Sequence, residues 1–422
     1  MNLRIDLEII QASRQGDLKR VKNLLDRGVA VDAQDAEGTT ALMFAAQNGY
    51  TEIIKILVDA GADLNLARKK FGVTPLMLAA SSDRLDAVQT LIASGAAINA
   101  QNEDGSTALA IAAFKGNRQI VSILLDAGAN PNIQDRDGDI ALNLALSNSD
   151  AQIVKSLLSS GANPNLKNPE GDTPLMLAAE GKNLDMVRDL VAAGADLNTQ
   201  NPDGWTALMM AAAGGELEVV KCLITPQSEI DRTNQEGETA LHLAVVEGYP
   251  QIVNFLLRSG ANCQIRNKLG DTPLAIAVLQ GETEIVAMLL AQGAEVNVPN
   301  SGETPISIAA SRRQANIVQL LLEYGANPDT VVKGGKTLLM QASDRNDLPT
   351  IRSLLQKGAK VNLQDASGAT ALMWAAHRGY LEPVQLLLAA GADPTIKNLG
   401  GYTASALAEF NKYPAVVELL NH

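Results

Sequence analysis

The residue types that most often carry catalysis are few in this sequence and lie far apart. There are three histidines and two cysteines. His242, His377 and His422 are widely separated, and none pairs with Cys222 or Cys263 at the spacing of a zinc site. A nucleophilic cysteine also needs an adjacent base, and the sequence offers no candidate. We therefore expect no catalytic residue, metal or cofactor, and we interpret both cysteines as structural.

The segment Gly334-Gly-Lys-Thr337 looks like the end of a phosphate-binding loop. That motif needs a glycine five residues before its Gly-Lys-Thr, and here the residue is Thr330. Gly335 and Thr337 instead occupy a turn position and a helix-cap position that recur through the chain. The sequence therefore does not predict nucleotide binding.

The charge composition disfavours nucleic acid as a partner. The chain has 34 Lys and Arg against 47 Asp and Glu, a net charge of −13, and such a chain is repelled by a phosphate backbone. The first eight residues already contain Arg4, Asp6 and Glu8, where a signal peptide would need a continuous apolar run. The longest apolar runs are much shorter than the ~18 residues of a membrane span. We expect a cytoplasmic protein that does not insert into membranes.

A repeat of 33 residues, once 34 and once 32, organises the whole sequence. Taking a threonine as position zero, glycine lies two residues before it and alanine five residues after it in all twelve units. Val or Ile follows at fourteen and Leu at seventeen. The positions of this threonine row are Thr40, Thr74, Thr107, Ile140 (the one exception), Thr173, Thr206, Thr239, Thr272, Thr304, Thr337, Thr370 and Thr403.

Each position of the repeat has a local structural reason. Asp or Asn followed by two residues and Gly, as in Asp35–Gly38, is a turn signal. The threonine is a helix N-cap, and proline at the next position is tolerated there. A short helix follows, whose small alanines allow close packing, and then a second helix that carries the Val and Leu positions on one apolar face. One such unit cannot bury its apolar face alone, so stability comes from stacked neighbours.

These features resemble the ankyrin repeat, as in Gly237-Glu-Thr-Ala-Leu-His-Leu-Ala244 and Asp271-Thr-Pro-Leu274. The Thr-Ala-Leu-Met form is similar to bacterial members of that family. The resemblance implies an all-α solenoid of helix-turn-helix units with projecting β-hairpin loops. We expect one domain over residues 1–422, with an N-terminal capping repeat (1–34), eleven repeats (35–397) and a C-terminal capping repeat (398–422), and no appended effector domain.

The sequence departs from the family pattern at several positions. Methionine replaces the usual histidine three residues after the threonine in six units, so the hydrogen bonds of that histidine are in doubt there. These methionines either fill the core or form an adaptable apolar strip. Pro226 should end one helix early, and an extra residue near Arg68–Phe71 and a deletion near Asn300 change two loops. Such changes are either tolerated or bend the solenoid for function. The six methionines are Met43, Met77, Met176, Met209, Met340 and Met373.

Two rows of charge recur at the repeat period. The residue before the threonine forms an acidic row in six consecutive units, interrupted by one tryptophan. Eight residues after the threonine, three consecutive units carry an arginine row, with Lys336 and His377 nearby. Each row is either a solvated face or a contact surface. The acidic row is Asp139, Asp172, Trp205, Glu238, Asp271 and Glu303; the arginine row is Arg312, Arg345 and Arg378.

The remaining aromatic residues are interpreted by their repeat positions. Trp205 is hard to explain by packing alone and is a candidate contact residue. Tyr402 occupies the same position in the last repeat and either binds or covers the cap. Trp374 lies where other repeats have Phe44 or Leu78, which favours a core position.

Members of the resembling family generally bind proteins along the hairpin tips and concave face. The sequence therefore favours a monomeric, non-catalytic scaffold or adaptor whose partner is a protein. An assembly factor or regulatory subunit of a larger complex is an alternative. An enzyme or a nucleic-acid binder is a remote one, because the chain has no catalytic cluster and few clustered cations.

Overall fold

The chain is built from pairs of short helices. A computed structural model describes residues 3–300, 302–332 and 334–421, with 26 helices in that part of the chain. They divide into two compact units, with the boundary between Glu229 and Ile230. The interpretation of the whole chain as one domain stays a prediction.

The first unit contains α1–α14. Their bounds are α1 Leu3–Gln15, α2 Leu18–Asp26, α3 Ala41–Asn48, α4 Thr51–Asp59, α5 Pro75–Ser81, α6 Leu85–Ala93, α7 Ala108–Lys115, α8 Arg118–Asp126, α9 Ala141–Ser147, α10 Ala151–Ser159, α11 Pro174–Glu180, α12 Leu184–Ala192, α13 Ala207–Gly214 and α14 Leu217–Leu223.

The second unit contains α15–α26. Their bounds are α15 Ala240–Val246, α16 Pro250–Arg258, α17 Pro273–Gln280, α18 Thr283–Ala291, α19 Pro305–Ser311, α20 Ala315–Glu323, α21 Leu338–Asp344, α22 Leu348–Gln356, α23 Ala371–His377, α24 Leu381–Ala389, α25 Ala404–Phe410 and α26 Pro414–Asn421.

The threonine row starts the first helix of each pair, as its residue type predicts. Thr40 has an extended backbone, and its hydroxyl oxygen accepts a hydrogen bond from the Met43 N–H at 3.2 Å. Every other threonine of the row caps its helix in the same way. Ile140 has no side-chain oxygen and makes no such bond. Such a cap contributes about 1 kcal/mol to helix stability.

Within each unit the helices form two layers. First helices pack on first helices and second helices on second helices, as in α3 on α5 and α4 on α6, or α21 on α23 and α22 on α24. The predicted apolar positions lie between the layers, where Ile54, Leu57, Val220 and Leu223 are at most 1% exposed. The all-α fold class of stacked helix-turn-helix units is therefore confirmed.

The loops between pairs are tight turns. The Asp35 carboxylate accepts from the backbone N–H groups of Glu37 and Thr39, which closes the turn that the sequence predicts. Successive loops are joined by backbone hydrogen bonds such as Lys69 N–H to Glu37 O at 3.1 Å. In the described residues these loops carry isolated β-bridges, such as Gln34 with Thr40, rather than longer β-ladders.

The six methionines lie in the core, so the hypothesis of an exposed apolar strip is wrong. Each is at most 1% exposed. Three of them also replace the hydrogen bond of the family histidine: the sulfur accepts the N–H of the capping threonine at 3.4–3.5 Å in Met77, Met176 and Met340. His242 does the same through Nδ1, at 3.2 Å from the Thr239 nitrogen.

The irregular repeats change local structure as predicted. Helix α14 ends at Leu223, before Pro226, and is 7 residues long where other second helices have 8 or 9. At the extra residue, Phe71 has a left-handed backbone (φ 71°) and is 51% exposed. At the deletion, Asn300 and Glu303 pair in one short bridge. Any bending that serves function stays a prediction.

Candidate protein-binding surfaces

The arginine row ends the first helices of three consecutive pairs in the second unit. Arg312, Arg345 and Arg378 are the C-terminal caps of α19, α21 and α23. All three are exposed. A cation at this end of a helix interacts favourably with the helix dipole. The row is thus compatible with the helices that carry it, and it presents its charges to solvent.

The three arginines differ in their hydrogen-bond and ion-pair partners. The Arg345 guanidinium donates to the Ser311 carbonyl of the preceding repeat at 3.1 Å. Arg378 Nε donates to Asp344 Oδ1 at 2.7 Å, so its charge is paired. Among the described residues, neither Arg312 nor Arg345 forms an ion pair. Two of the three arginines are therefore available to a carboxylate of a partner.

A fourth arginine, which the repeat pattern did not single out, adjoins this row. Arg313 adopts a left-handed backbone (φ 59°) at the position where six other repeats have glycine. Its guanidinium donates to the Arg345 carbonyl at 2.8 Å. A non-glycine residue in this conformation costs about 1 kcal/mol or more. Arg313 thus adds a fourth arginine to the surface that Arg312, Arg345 and Arg378 form.

Asp344 is a carboxylate that forms ion pairs with two cations near the arginine row, Lys336 and Arg378. Its side chain is 15% exposed, and it accepts from Lys336 Nζ at 2.8 Å as well as from Arg378. Burial alone would raise the pKa of the Asp344 carboxyl, but the hydrogen bonds from Lys336 and Arg378 lower it below its ordinary value. Lys336, predicted as a contact residue, is thus bound to Asp344.

Trp374 is half-buried at the same surface, not enclosed in the core as its repeat position suggested. Lys336 Nζ lies 3.3 Å from the centroid of its ring, a cation–π contact. Its indole N–H donates to Asp365 Oδ2 at 2.9 Å. The His377 ring meets it edge-on, with centroids 6.4 Å apart. Lys336 therefore joins Trp374 to Asp344 across two repeats.

A cavity of about 160 Å³ lies beside Trp374. Its apolar walls are Ala369, Met373, Trp374 and Leu407, and its polar lining residues are Ser367, His377 and Asn398. We call this the Trp374 pocket. It combines His377, which the sequence singled out as a contact residue, with Trp374, which the sequence assigned to the core.

The acidic row is less exposed than expected for loop carboxylates. None of its six residues is fully exposed, and Asp271 is buried. Most of these carboxylates accept hydrogen bonds from side-chain amides: Asp139 from Asn143, Asp172 from Asn201, Glu238 from Asn234, and Asp271 from Asn300. Asp139, Asp172 and Trp205 belong to the first unit, whereas Glu238, Asp271 and Glu303 belong to the second. The row thus helps to hold neighbouring loops together.

Trp205 lines a wider groove of about 480 Å³ in the first unit, which we call the Trp205 groove. Met210 contributes apolar surface, while Glu180 and Asp203 contribute carboxylates. Lys182 also lies there, but it donates to the Gly214 carbonyl at 2.8 Å and pairs with Glu216. Among the described residues, Glu180 and Asp203 form no ion pair, so the groove has negative character.

Tyr402, in the last repeat, is 52% exposed. Its backbone N–H donates to Asn398 Oδ1 at 2.9 Å, and its ring lies against Gly400. Tyr402 belongs to the second unit, whereas Trp205 belongs to the first. Its contact role stays a prediction.

The repeat of this chain matches that of a known protein family. A family model described as ankyrin repeats (3 copies) matches residues 9–102, 89–168, 109–201, 175–267, 247–332 and 339–422. The chain belongs to the ankyrin-repeat family. Proteins of this family generally act in protein–protein interaction and are typically non-catalytic.

Individual relatives match short segments of this ankyrin-repeat chain. Ankyrin repeat domain-containing protein 29 of Danio rerio is 45% identical over 62 residues, 14% of this chain and 21% of that protein. Inactive serine/threonine-protein kinase TEX14 of Bos taurus is 39% identical over 61 residues, 14% of this chain and 4% of that protein. The human mitochondrial disaggregase is 39% identical over 61 residues, 14% of this chain and 9% of that protein. The chain thus spans about a fifth or less of these relatives.

Among the chemically reactive side chains, Cys263 and His242 are buried and Cys222 is partly buried. Burial raises the pKa of the Cys222 and Cys263 thiols, which keeps them protonated. Burial lowers the pKa of His242, whose ring contacts Thr239 and the Asp271 carbonyl. Within the described ranges there is no group of three or more His, Cys, Asp or Glu able to hold a metal ion. His422 lies outside those ranges.

In the part of the chain that the structure describes, no helix combines the length and the apolar character needed to cross a membrane.

Proposed function

We propose that this ankyrin-repeat chain is a non-catalytic scaffold or adaptor that binds a partner protein, with acidic side chains of the partner on the arginine row. The observation that carries this proposal is the exposure of Arg312 and Arg345 at equivalent positions of consecutive repeats. Neither has a carboxylate partner among the described residues, although the chain carries an excess of carboxylates. Arginine in such a position is a preferred interface residue because it binds carboxylates bidentately.

The neighbouring contacts support the same surface. Arg345 is fixed by the Ser311 carbonyl, and Arg313 is fixed by the Arg345 carbonyl. Side chains that are already ordered lose less conformational entropy when a partner binds. The cationic edge is thus partly preorganised for an acidic ligand, and its charges would mainly raise the association rate and select the partner.

The acidic row takes the smaller part in this proposal. Its carboxylates mostly bind amides of the protein itself, as Asp172 does with Asn201 at 2.8 Å. We propose that a basic segment of the partner meets the acidic groups that remain accessible, chiefly those of the Trp205 groove. We further propose that the protein is monomeric and acts in the cytoplasm.

The test is affinity capture from the native lysate with identification by mass spectrometry. Wild type is compared with a variant that combines Arg312→Glu, Arg345→Glu and Arg378→Glu. A matched control combines Lys155→Glu, Arg188→Glu and Lys221→Glu. These control residues are also 33 apart and exposed, but lie on the second helices α10, α12 and α14. Circular dichroism verifies that all three proteins are folded.

We expect a partner that the wild type and the control capture and that the arginine variant loses. Equal capture by all three proteins would contradict the assignment of the arginine row. Capture that disappears on nuclease treatment would show a nucleic-acid ligand and would contradict the proposed protein partner.

A further inference from the structure

The Trp374 pocket is formed by side chains that the protein itself holds in place. Lys336 covers one face of the indole ring, Asp365 binds its N–H, and His377 lies against its edge. The pocket is lined on either side by residues of two consecutive repeats, with Met373 in one and Leu407 in the other. Such a site resembles an interface hot spot, where a fixed aromatic residue and apolar neighbours exclude water from the group that binds.

Most polar atoms of the pocket already have partners within the protein. The Ser367 hydroxyl donates to Asp365 Oδ1 at 2.6 Å. Asn398 Oδ1 accepts from the backbone N–H groups of Gly400 and Tyr402. The side chain that enters therefore gains little from being polar, because few partners remain for it. The lining favours an apolar group.

Two donors at the pocket have no partner among the described residues, the Asn398 side-chain amide and one ring nitrogen of His377. The Asn411 amide lies 2.9 Å from His377 Nδ1. Since an amide N–H can only donate, Nδ1 accepts, and the neutral ring carries its proton on Nε2. Among the described residues, no acceptor binds this Nε2–H. It can donate to a carboxylate that lies next to the apolar group.

The volume of the Trp374 pocket and the charge of the residues around it limit the class of ligand that can bind there. A cavity of about 160 Å³ holds one aliphatic side chain. Arg378 directly follows His377 in sequence, and the arginine row continues through the preceding repeats. Stacked helices lie about 8–10 Å apart, and an extended peptide advances about 3.3 Å per residue. Acidic residues about three positions apart would therefore match successive arginines.

We propose that the Trp374 pocket receives one aliphatic side chain of an acidic, extended segment of the partner protein. This inference rests on the proposed function, because the arginine row supplies the charge that attracts the segment. It adds an apolar anchor residue of the partner, which we define as a leucine, isoleucine, valine or methionine at one end of a run of regularly spaced carboxylates.

The experiment uses two fluorescent synthetic peptides as probes. Both contain three glutamates at every third position with glycine and serine between them, and they differ only in a terminal leucine or serine anchor. Fluorescence polarisation gives the dissociation constant of each for the full chain. We expect the leucine peptide to bind about 10-fold tighter or more, because one buried aliphatic side chain is worth at least this much.

The pocket can be filled with a residue type that the repeat already tolerates. Ala369 lines the pocket and occupies the position held by Trp205 and Tyr402 in other repeats. In the Ala369→Trp variant, the ratio of the dissociation constants of the serine and leucine peptides should fall to about one. In the matched control Ser106→Trp, which changes the same position of a repeat in the first unit, the preference should persist. A preference that survives Ala369→Trp would overturn the proposal.

The failure of the anchor can be told apart from the failure of the arginine row. A variant that combines only Arg312→Glu and Arg345→Glu, and so keeps the Arg378–Asp344 pair beside the pocket, should weaken both peptides equally and keep their ratio. If the two peptides bind wild type equally and both depend on the arginines, the anchor is wrong and the proposed function stands. If neither peptide binds wild type, both the anchor and the acidic-ligand assignment are contradicted.

Intrinsic fluorescence gives an independent readout of the same site. The chain has two tryptophans, so Trp205→Phe leaves Trp374 as the only indole. The leucine peptide should shift its emission to shorter wavelength at saturation, because the anchor displaces water from the ring. An identical spectrum with the saturating leucine peptide would contradict insertion beside Trp374.

Discussion

The two tryptophans of this ankyrin-repeat chain lie in differently charged surroundings. Trp374 contacts charges of both signs, whereas Trp205 shares its groove with carboxylates that form no ion pair among the described residues. Trp374 contacts Lys336 and His377 and adjoins a cavity of about 160 Å³, next to the arginine row. Trp205 lines a groove of about 480 Å³ that it shares with Glu180 and other polar residues. Both helix pairs follow the same repeat pattern, so the difference comes entirely from positions that the core does not require.

The comparison also separates a fixed aromatic residue from a less constrained one. The Trp374 side chain has a cation on its face and a carboxylate at its N–H. In the described residues the Trp205 indole N–H has no hydrogen-bond partner. A repeat scaffold can therefore give one tryptophan a structural and binding role together, and leave another for binding alone.

The largest expected effect is the unequal cost of removing the two tryptophans. Trp374→Ala should destabilise the protein by about 3 kcal/mol, because it removes a half-buried ring, a cation–π contact and a hydrogen bond to a carboxylate. Trp205→Ala should cost less than about 1 kcal/mol. Urea denaturation followed by circular dichroism measures both, and hydrogen exchange in α23 localises the first. Equal costs would erase the proposed difference between the two regions.

The next effect concerns the carboxylate that organises the Trp374 region. Asp344→Asn should destabilise the protein by about 1–2 kcal/mol at neutral pH, because Lys336 and Arg378 lose their shared anion. The matched control in the first unit is Glu216→Gln, whose pair with Lys182 is exposed and should contribute about 0.5 kcal/mol or less. Denaturation midpoints of the two variants test the contrast.

The pH dependence of Asp344 has a defined sign. Its folded pKa is lowered, so its contribution is complete above the unfolded value of about 4 and is lost as pH falls through the folded pKa. The stability difference between wild type and Asp344→Asn should therefore shrink in that acidic window. A difference that stays constant down to the lowest pH at which the protein folds would contradict the ion-paired state.

A smaller effect at milder pH comes from His242 and must be separated from that of Asp344. Burial lowers the folded pKa of His242, so the unfolded chain takes up its proton first. The contribution of His242 is complete above the unfolded value of about 6.5 and is lost as pH falls through the lowered folded pKa. His242→Met, which copies the other repeats, should remove this dependence. A variant with the same pH profile as wild type would show that His242 does not titrate in this way.

The smallest expected effect is at the Trp205 groove. A peptide with a single arginine among glycine and serine should bind weakly and lose about threefold to tenfold in affinity when Glu180→Gln and Asp203→Asn are combined. The acidic leucine peptide should bind this variant as it binds wild type. If the acidic peptide is affected and the arginine peptide is not, the two grooves have been assigned the wrong ligands.

Local features of the fold were predictable because their causes are local. Three such features depend only on residues a few positions apart in sequence: the threonine caps, the Asp35–Gly38 turn and the early end of α14 before Pro226. The buried Val and Leu positions follow from the repeat period, since the second helix of each pair buries only one face. The sequence therefore predicted the helix pairs and their order.

The candidate site was predictable only in part, because its contacts join residues of different repeats. Arg378 binds Asp344, 34 residues earlier, and Asn201 binds Asp172, 29 residues earlier. A period of 33 aligns equivalent positions, but it does not show contacts between unlike positions. Trp374 was therefore assigned to the core, and Asp344 and Arg313 were missed. Comparing the charges of neighbouring positions in successive repeats would have found the Asp344 pair.

The most direct test of the central claim is the association rate of the captured partner as a function of ionic strength. The partner is purified and measured with wild type, the triple arginine variant and the Lys155, Arg188 and Lys221 control. Wild type and control should associate rapidly at low salt and slow steeply as salt rises, because opposite charges steer the encounter. The arginine variant should bind at least about 100-fold more weakly, with little dependence on salt. If it instead matches wild type at every salt concentration, the arginine row is a solvated face and the proposed binding surface is wrong.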